Sequence, residues 1–237
     1  MIGVLANTAT VLIGSLLGLF LKRGIPEKVS GAVMKAIGLC TVYMGISGAL
    51  EGKNTLVLIV SMALGTLLGS WIDIDRRFTA AVGKLEAKFR RSEGKASLGQ
   101  GFITASLLFC VGAMTLVGSL QAGITGDSTM LLTKSVLDLI SSFVLASTLG
   151  LGVVLSAGFV LVFQGSLVLL SDLIAPFLTE AVIAEMVSVG SLVIVALGLD
   201  LLGIGKWKIM NYLPAVLLPL LLCPLYEWAA GVLRTLL

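Results

Sequence analysis

The stretch STMLLTKSVLDLISSFVLASTLGLGVVLSAGFVLVFQGSLVLL, residues 128–170, is apolar over more than forty positions. A helix needs roughly 20 apolar residues to cross the hydrocarbon core of a bilayer, so this stretch is about twice as long as one crossing requires. Two glycines stand at its centre in STLGLG, residues 147–152. Glycines that follow a helical run indicate a helix end. We therefore predict two membrane spans here.

The composition of the whole chain is also that of a membrane protein. Of its 237 residues, 57% are hydrophobic and 12% are charged, whereas a soluble domain has about 45–50% and about 25%. This excludes a soluble enzyme, a nucleic-acid reader and a secreted disulfide scaffold. The chain has no histidine, and Cys40, Cys110 and Cys223 stand alone in apolar runs. We therefore expect no metal site and no cofactor.

Six further apolar runs give about eight spans and an all-α, polytopic transmembrane helical bundle. These runs cover residues 2–21, 32–50, 55–72, 101–120, 182–202 and 212–233. We divide the chain into four units, which are residues 1–72 with three spans, 73–100 as a linker, 101–151 with the central two spans, and 152–237 with the last three.

The basic residues predict how the spans are oriented. Thirteen of the sixteen fall in or beside the loops after spans one, three and seven, and loops rich in Lys and Arg stay in the cytoplasm. With eight spans, both the N- and the C-terminus are expected outside a bacterial plasma membrane. A seven-span arrangement would place Lys206 and Lys208 on the opposite side from the other basic loops.

The linker carries an apolar stripe within a basic segment. Its apolar residues are Phe78, Val82, Leu85 and Phe89, at helical spacing. This pattern is typical of an amphipathic helix on the membrane surface. We expect the segment Arg76–Lys95 to contact anionic lipid headgroups, and we expect no nucleic-acid binding.

A short sequence word occurs twice and predicts an internal repeat. Val-x-x-Gly-Ser-Leu occurs at residues 11–16 in span one and at 162–167 in span six. In both places there follow a loop with a proline, a span rich in glycine, a Gly-Lys turn and a last apolar span. Five spans separate equivalent helices, so the two units would point in opposite directions. Inverted repeats around a central pair, here as 3+2+3 spans, are typical of transporters.

Polar side chains within the spans are the candidate site residues, because they are costly in hydrocarbon. Lys134 and Asp138 stand four apart on one face of span five. They are either a self-neutralising pair that helps the span insert, or a site where a substrate or proton competes for the carboxylate. Gln164 in span six needs a polar partner, and Ser156 precedes it by two helical turns.

Two asparagines complete the set of candidates. Asn7 lies in span one on the side that also carries Gly3, Gly14 and Gly18. Asn211 precedes span eight, where it could cap the helix or contact substrate. Span eight contains Pro214, Pro219 and Pro224, which remove backbone donors and predict an interrupted helix.

Glycines on spans one and three predict close helix packing. We expect these faces to be buried within the chain and also against a second copy, in a two-fold homodimer. Besides the glycines of span one, they include Gly65 and Gly69 of span three.

Several of these words together resemble a known family. They are Leu108-Phe109-Cys110-Val111-Gly112-Ala113-Met114, Thr125-Gly126-Asp127, Lys134-Ser135-x-x-Asp138 and Asn211-Tyr212-Leu213-Pro214. Together with Asn7, Ser156 and Gln164, they resemble the bacterial YqgA/YdfK-type membrane proteins, with an inserted Gly205 as a departure. The resemblance covers nearly the whole chain and implies a membrane protein. Since the family has no known function, it implies no activity.

The residues favour a secondary transporter or channel-like carrier of a small solute or ion. Its site would comprise Asn7, Lys134, Asp138, Ser156, Gln164 and Asn211, with Asp138 as the carboxylate for ion coupling. The alternative is a non-transporting membrane scaffold or regulatory partner protein. An enzyme is not expected, because a nucleophile and base would have to be found without histidine. A transporter should show a polar pocket lined by these residues, and a scaffold a dry bundle.

Overall fold

The structure, a computed structural model, describes residues 1–22, 27–80, 98–111 and 113–236, and in these residues the chain is helical with no strand. The helices are α1 (Ile2–Lys22), α2 (Glu27–Ala49), α3 (Thr55–Ile72), α4 (Leu98–Cys110), α5 (Ala113–Ile124), α6 (Thr129–Leu149), α7 (Leu151–Leu169), α8 (Glu180–Leu201), α9 (Leu213–Leu217) and α10 (Pro219–Leu236). One-turn helices cover Ser171–Ile174 and Ile209–Tyr212, and residues 74–80 are also helical. The all-α prediction is confirmed.

Among the described residues, six helices are individually long and apolar enough to cross a membrane, namely α1, α2, α3, α6, α7 and α8. Two bent pairs, α4 with α5 and α9 with α10, each reach that length together, which gives up to eight crossings. The bend is 59° in the first pair and 44° in the second.

The contacts of the glycines give the relative directions of neighbouring helices. Gly3 faces Ser128 and Leu131 while Gly18 faces Phe143, so α1 and α6 run parallel. Gly38 lies beside Leu202 and Gly52 beside Ser188, so α2 and α8 are antiparallel. Gly65 lies beside Ala215 and Gly69 beside Asn211, so α3 and α9 are also antiparallel. Gly101 lies beside Gly152 and Gly123 beside Ser171, so the pair α4/α5 runs parallel to α7. Eight alternating crossings require these four directions.

The predicted separation of spans five and six is confirmed at Gly150. This residue lies between α6 and α7 with φ 78° and ψ −145°. A side chain would strain the backbone in this region, which glycine adopts readily. One residue thus reverses the chain between two long helices.

The predicted interruption of span eight is also confirmed. The break falls at Leu218, between α9 and α10. Pro219 begins α10, where a missing backbone N–H costs nothing, and Pro214 stands at the second position of α9. Pro224 lies inside α10. The interruption of span four was not predicted.

Helix α8 is the most enclosed of the six long helices. In its most apolar window 72% of the residues are buried, against 22% for α2 and for α3. The outer helices expose large apolar side chains such as Phe20 and Trp71, which are 80% and 87% exposed. These surfaces are suited to contact with lipid, since apolar side chains gain nothing by leaving hydrocarbon.

The linker is described only in part. Residues 81–97, which hold most of the predicted amphipathic stripe, lie outside the described residues, and so does the loop at residues 23–26. At the end of α3, the Asp73 carboxylate accepts a hydrogen bond from the Lys208 ammonium, with 3.3 Å between the two atoms. The end of α3 is thereby joined to the loop before α9 by one contact. This contact holds the pKa of the Asp73 carboxyl below its usual range.

We predict that Gly14→Ala lowers the stability of the protein, because the added Cβ would collide with the Leu139 carbonyl and the Ser142 hydroxyl of α6. Overpacking of this kind costs about 1–3 kcal/mol. The measurement is the thermal unfolding midpoint in detergent. Gly158→Ala is the matched control, since its Cβ would meet no described atom within 4 Å. Equal midpoints for the two variants would contradict the close packing of α1 on α6.

Candidate functional site

Four of the six predicted site residues lie together where α1, α6 and α7 meet. Asn7 on α1 donates its amide N–H to the Gln164 oxygen on α7, with 3.2 Å between the atoms. On α6 the Lys134 ammonium forms an ion pair with Asp138. Asn7 and Gln164 are fully buried, and Lys134 and Asp138 are 6% and 5% exposed. We refer to these four residues as the polar cluster.

The helix directions bring the polar cluster to one level of the bundle. Asn7 and Asp138 stand five and nine residues after the first residues of α1 and α6, and Gln164 stands five residues before the end of α7. At 1.5 Å per residue these positions are about 8–14 Å from the helix ends. Since α1 and α6 run parallel, the cluster lies between one end of the bundle and its middle.

The close approach of α1 to α6 has a local cause in the sequence. Gly3, Gly14 and Gly18 place bare backbone against α6, so no α1 side chain separates the two helices at these points. Lys134 and Asp138 share a helix face because they are four residues apart. The Asn7 side chain also lies near the Asp138 carboxylate.

Two polar atoms of the cluster lack partners. The Asn7 Oδ1 and the Gln164 Nε2 are buried and make no hydrogen bond to any described residue. Reversing the Asn7 amide alone would not help, because its oxygen would then face the Gln164 oxygen, and neither of these atoms can donate a hydrogen bond. A buried donor and a buried acceptor without partners are unusual in folded proteins and indicate a place for a ligand or water.

The break in span four lies beside the polar cluster, and its role was missed from the sequence. The Lys134 Nζ stands 5.8 Å from the centroid of the Phe109 ring, at the end of α4, within the range of a cation–π interaction. Across the break, the Thr115 hydroxyl donates to the Phe109 carbonyl at 2.8 Å. The one available signal was the glycine within LFCVGAM, residues 108–114, in the middle of an apolar run.

Ser156 is not part of this contact. It is fully buried, but its hydroxyl donates to the Val153 carbonyl of its own helix at 2.7 Å. Two helical turns, about 12 Å, separate it from Gln164. The hydroxyl is therefore satisfied within its own helix.

Asn211 lies far from the polar cluster, and the prediction that it caps span eight is wrong. Its Oδ1 accepts the backbone N–H of Asp75 at 2.9 Å, so it caps the helical residues 74–80 that follow α3. The reason is the close contact of Gly69 with the Asn211 backbone, which turns the amide toward the end of α3.

A second buried carboxylate holds the turn between α2 and α3. The Glu185 Oε1 accepts the backbone N–H groups of Lys53 and Asn54 at 2.7 and 2.8 Å. Nearby, the Ser188 hydroxyl donates to the Ala49 carbonyl. The Glu185 Oε2 has no partner among the described residues. These contacts fix α8 against the α2–α3 turn.

None of the four residues of the polar cluster is more than 6% exposed, and the Lys134 ammonium faces the Phe109 ring. A cavity of about 630 Å³ lies near the loop after α8 and is lined by Asp75, Phe78, Asp200, Lys206 and Trp207 among others. None of the six predicted site residues lines it. The cluster is therefore closed in this conformation.

Comparison with known proteins places the chain in a family. The family described as "Protein of unknown function (DUF554)" matches residues 2–224. The "Uncharacterized membrane protein YdfK" of Bacillus subtilis (strain 168) is 36% identical over 223 residues, covering 92% of this chain and 94% of that protein.

A second relative is the "Uncharacterized protein YqgA" of Escherichia coli (strain K12), which is 31% identical over 220 residues with the same two coverages, 92% and 94%. No solved structure matches the chain. The resemblance found in the sequence is thus confirmed, and the apolar helices agree with the name of the first relative. The chain is a membrane protein that belongs to the DUF554 family.

Proposed function

We propose that this membrane protein is a secondary transporter of a small solute or ion, with the polar cluster as its binding site. The observation that carries the proposal is a buried ion pair flanked by two amides, Asn7 and Gln164, whose hydrogen bonds are incomplete. A charged side chain near the centre of a membrane helix costs roughly 2.5–3.5 kcal/mol on insertion scales. If these residues served only to pack the helices together, apolar side chains would do so at lower cost.

The helix arrangement supports the same function. The three pairs of helices that the 3+2+3 repeat would relate are α1 with α7, α2 with α8, and α3 with α9, and each pair is in contact. An interrupted span next to a polar site is typical of transporters, and the α4/α5 break lies beside Phe109 and Lys134. The inverted repeat itself stays part of the proposal.

The closed cluster fits one stage of transport. A transporter exposes its site to the two sides in turn, so its site must be sealed from both at an intermediate stage. The alternative is a non-transporting membrane partner, in which the same cluster would only fix the packing of α1, α6 and α7. The buried ion pair of Lys134 and Asp138 would serve that role too, and the first experiment below separates the two.

We propose the orientation that the basic loops indicate, with both termini outside a bacterial plasma membrane and the linker at the cytoplasmic lipid headgroups. A homodimer is also proposed. The glycines of α1 and α3 are occupied within the chain, so a dimer would have to use other surfaces.

We predict that Asp138→Asn and Lys134→Gln each lower stability, on the order of 3 kcal/mol, because each leaves a buried charge unpaired. The double variant should regain most of this loss while transport stays abolished. The measurements are thermal unfolding and uptake of a panel of labelled solutes and ions into proteoliposomes, with Asp172→Asn, an exposed carboxylate, as the control.

Recovery of both stability and uptake in the double variant would contradict the assignment of the site. Uptake no greater than that of protein-free vesicles, for every member of the panel, would contradict transport itself and favour the non-transporting partner.

A second prediction concerns orientation. In a chain without its native cysteines, Asp172→Cys should react with an impermeant thiol reagent in intact cells, because the loop after α7 is expected outside. Ala80→Cys, which is also exposed in the structure, should react only after the membrane is permeabilised. The reverse labelling pattern would show that the proposed orientation is wrong.

A further inference from the structure

We propose that Glu185 is a releasable latch, whose contact with the α2–α3 turn keeps one side of the bundle closed and whose release lets α2 and α8 rock apart there. This deepens the proposed function and rests on it for the transport step. The turn side is the side of the membrane that carries the α2–α3 turn, residues 50–54. The linker side is the opposite one, which carries residues 74–80 and the loop after α8, residues 202–208.

The contacts between α2 and α8 are symmetric about their midpoint. A Cβ on Gly45 would lie 2.7 Å from the backbone nitrogen of Val195, and a Cβ on Gly198 would lie 2.8 Å from that of Val42. A shift of 153 residues carries Gly45 onto Gly198 and Val42 onto Val195, so each contact is the counterpart of the other. Since both glycines place bare backbone against the other helix, the two helices meet here at a point on which they can pivot.

The turn side of this helix pair is closed by several short contacts. The Glu185 carboxylate accepts the backbone N–H groups of Lys53 and Asn54 at 2.7 and 2.8 Å. One turn further along α8, the Ser188 hydroxyl donates to the Ala49 carbonyl at 2.7 Å. Glu185 and Ser188 are 4% and 1% exposed, so water is excluded from the turn side of the α2–α8 contact.

The linker side has no counterpart of the latch. The same shift carries Ala32 and Lys35 onto Glu185 and Ser188, and both Ala32 and Lys35 are exposed. Alanine has no side-chain acceptor, so a second latch of this kind cannot form there. The cavity of about 630 Å³ lies on this side and is lined by residues of α4, of α8 and of the loop after α8. The bundle is therefore closed at the turn side and hollow at the linker side.

A symmetric helix pair with unequal ends favours a second conformation in which the two ends are exchanged. Transporters built from inverted repeats open alternately to the two sides of the membrane when one unit rocks against the other around a fixed site. In the exchanged conformation the turn side is open and the linker side is closed. Since only the turn side carries the latch, the strength of its contacts sets the balance between the two conformations.

The latch lies at about the depth of the polar cluster. Gln164 stands five residues before the end of α7, and Glu185 stands five residues after the first residue of α8. Residues 170–179 join these two helix ends, so both residues lie about 8 Å from the same side of the bundle. Opening of the turn side would therefore bring water to the depth of the polar cluster.

Release of the latch has a compensating gain. The Glu185 Oε2 has no partner among the described residues, and a buried polar atom without a partner is costly. In the open conformation water would satisfy both carboxylate oxygens, which offsets the loss of the two backbone hydrogen bonds. Two conformations of similar free energy are what alternation between them requires.

The experiment measures how fast single cysteines react with a water-soluble maleimide, in the full chain without its native cysteines and in detergent. Ser191→Cys reports on the turn side, because Ser191 is 4% exposed and lies against Gly48 of α2. Ile103→Cys reports on the cavity, which Ile103 lines. With Glu185 in place, we expect Ile103→Cys to react fast and Ser191→Cys to react slowly.

Glu185→Ala should reverse this order. Loss of two hydrogen bonds to a charged group should speed the reaction at position 191 by about tenfold or more, and the reaction at position 103 should slow. Glu185→Gln keeps an oxygen acceptor and should change both rates less than Glu185→Ala does. Glu180→Ala removes an exposed carboxylate of the same helix, so it is the matched control and should leave both rates unchanged.

Val153→Cys on α7, at a position that is 0% exposed, distinguishes opening from unfolding, since it should stay protected in every folded variant. If Glu185→Ala yields no folded protein, Ser188→Ala should shift the two rates in the same directions to a smaller extent, because it removes the hydrogen bond to Ala49. An unchanged rate at position 191, a rise there without a fall at position 103, or a parallel rise at position 153 would overturn the proposal.

The result is independent of the uptake assay. Uptake into proteoliposomes without these changes in cysteine reactivity would refute the latch and leave transport standing. Exchange of the reactive side without uptake of any member of the solute panel would support the latch and refute transport.

Discussion

The ion pair between Lys134 and Asp138 constrains the rest of the bundle, because two charges are held where water is excluded. Such a pair survives only if every neighbouring helix supplies either a compensating group or a tight seal. Helix α1 supplies Asn7, and α4 supplies the ring of Phe109. Helix α7 supplies Gln164, which reaches the pair through Asn7.

The glycines make this arrangement possible. They allow α1 to lie directly on α6, and they allow α2 to lie on α8 and α3 on α9. In a membrane, helices associate through close packing and hydrogen bonds rather than through the hydrophobic effect. The bundle therefore joins its helices with small residues and reserves its polar side chains for a few points. Several of these are satisfied within their own helix, as Ser156 is, whereas the polar cluster joins side chains of different helices.

Much of the fold could be predicted because the bilayer restricts it. Span lengths follow from the thickness of the hydrocarbon core, and Gly150 and the prolines near Pro219 mark a reversal and a break by their own backbone chemistry. The break between α4 and α5 could not be predicted in this way, because its freed carbonyl is satisfied by Thr115, a residue six positions along the chain.

The candidate site residues could be predicted because polar side chains are energetically costly within membrane helices. Asn7, Lys134, Asp138 and Gln164 are polar groups in apolar helices, and each needs a partner. Their meeting depends on which helices are neighbours in the bundle, and no pattern in the sequence indicates that α1, α6 and α7 meet. The role of Asn211 was predicted wrongly because its partner, the backbone N–H of Asp75, belongs to a segment distant in the chain.

The central claim is that the polar cluster opens to water although it is closed in this conformation. The most direct test uses the protein without Cys40, Cys110 and Cys223 and measures the reaction of Asn7→Cys with a water-soluble maleimide. Val189→Cys on α8 is the reference, because Asn7 and Val189 are both 0% exposed. The account predicts that position 7 reacts and position 189 does not, while both react in the denatured chain. Equal protection of the two positions in the folded protein would contradict it.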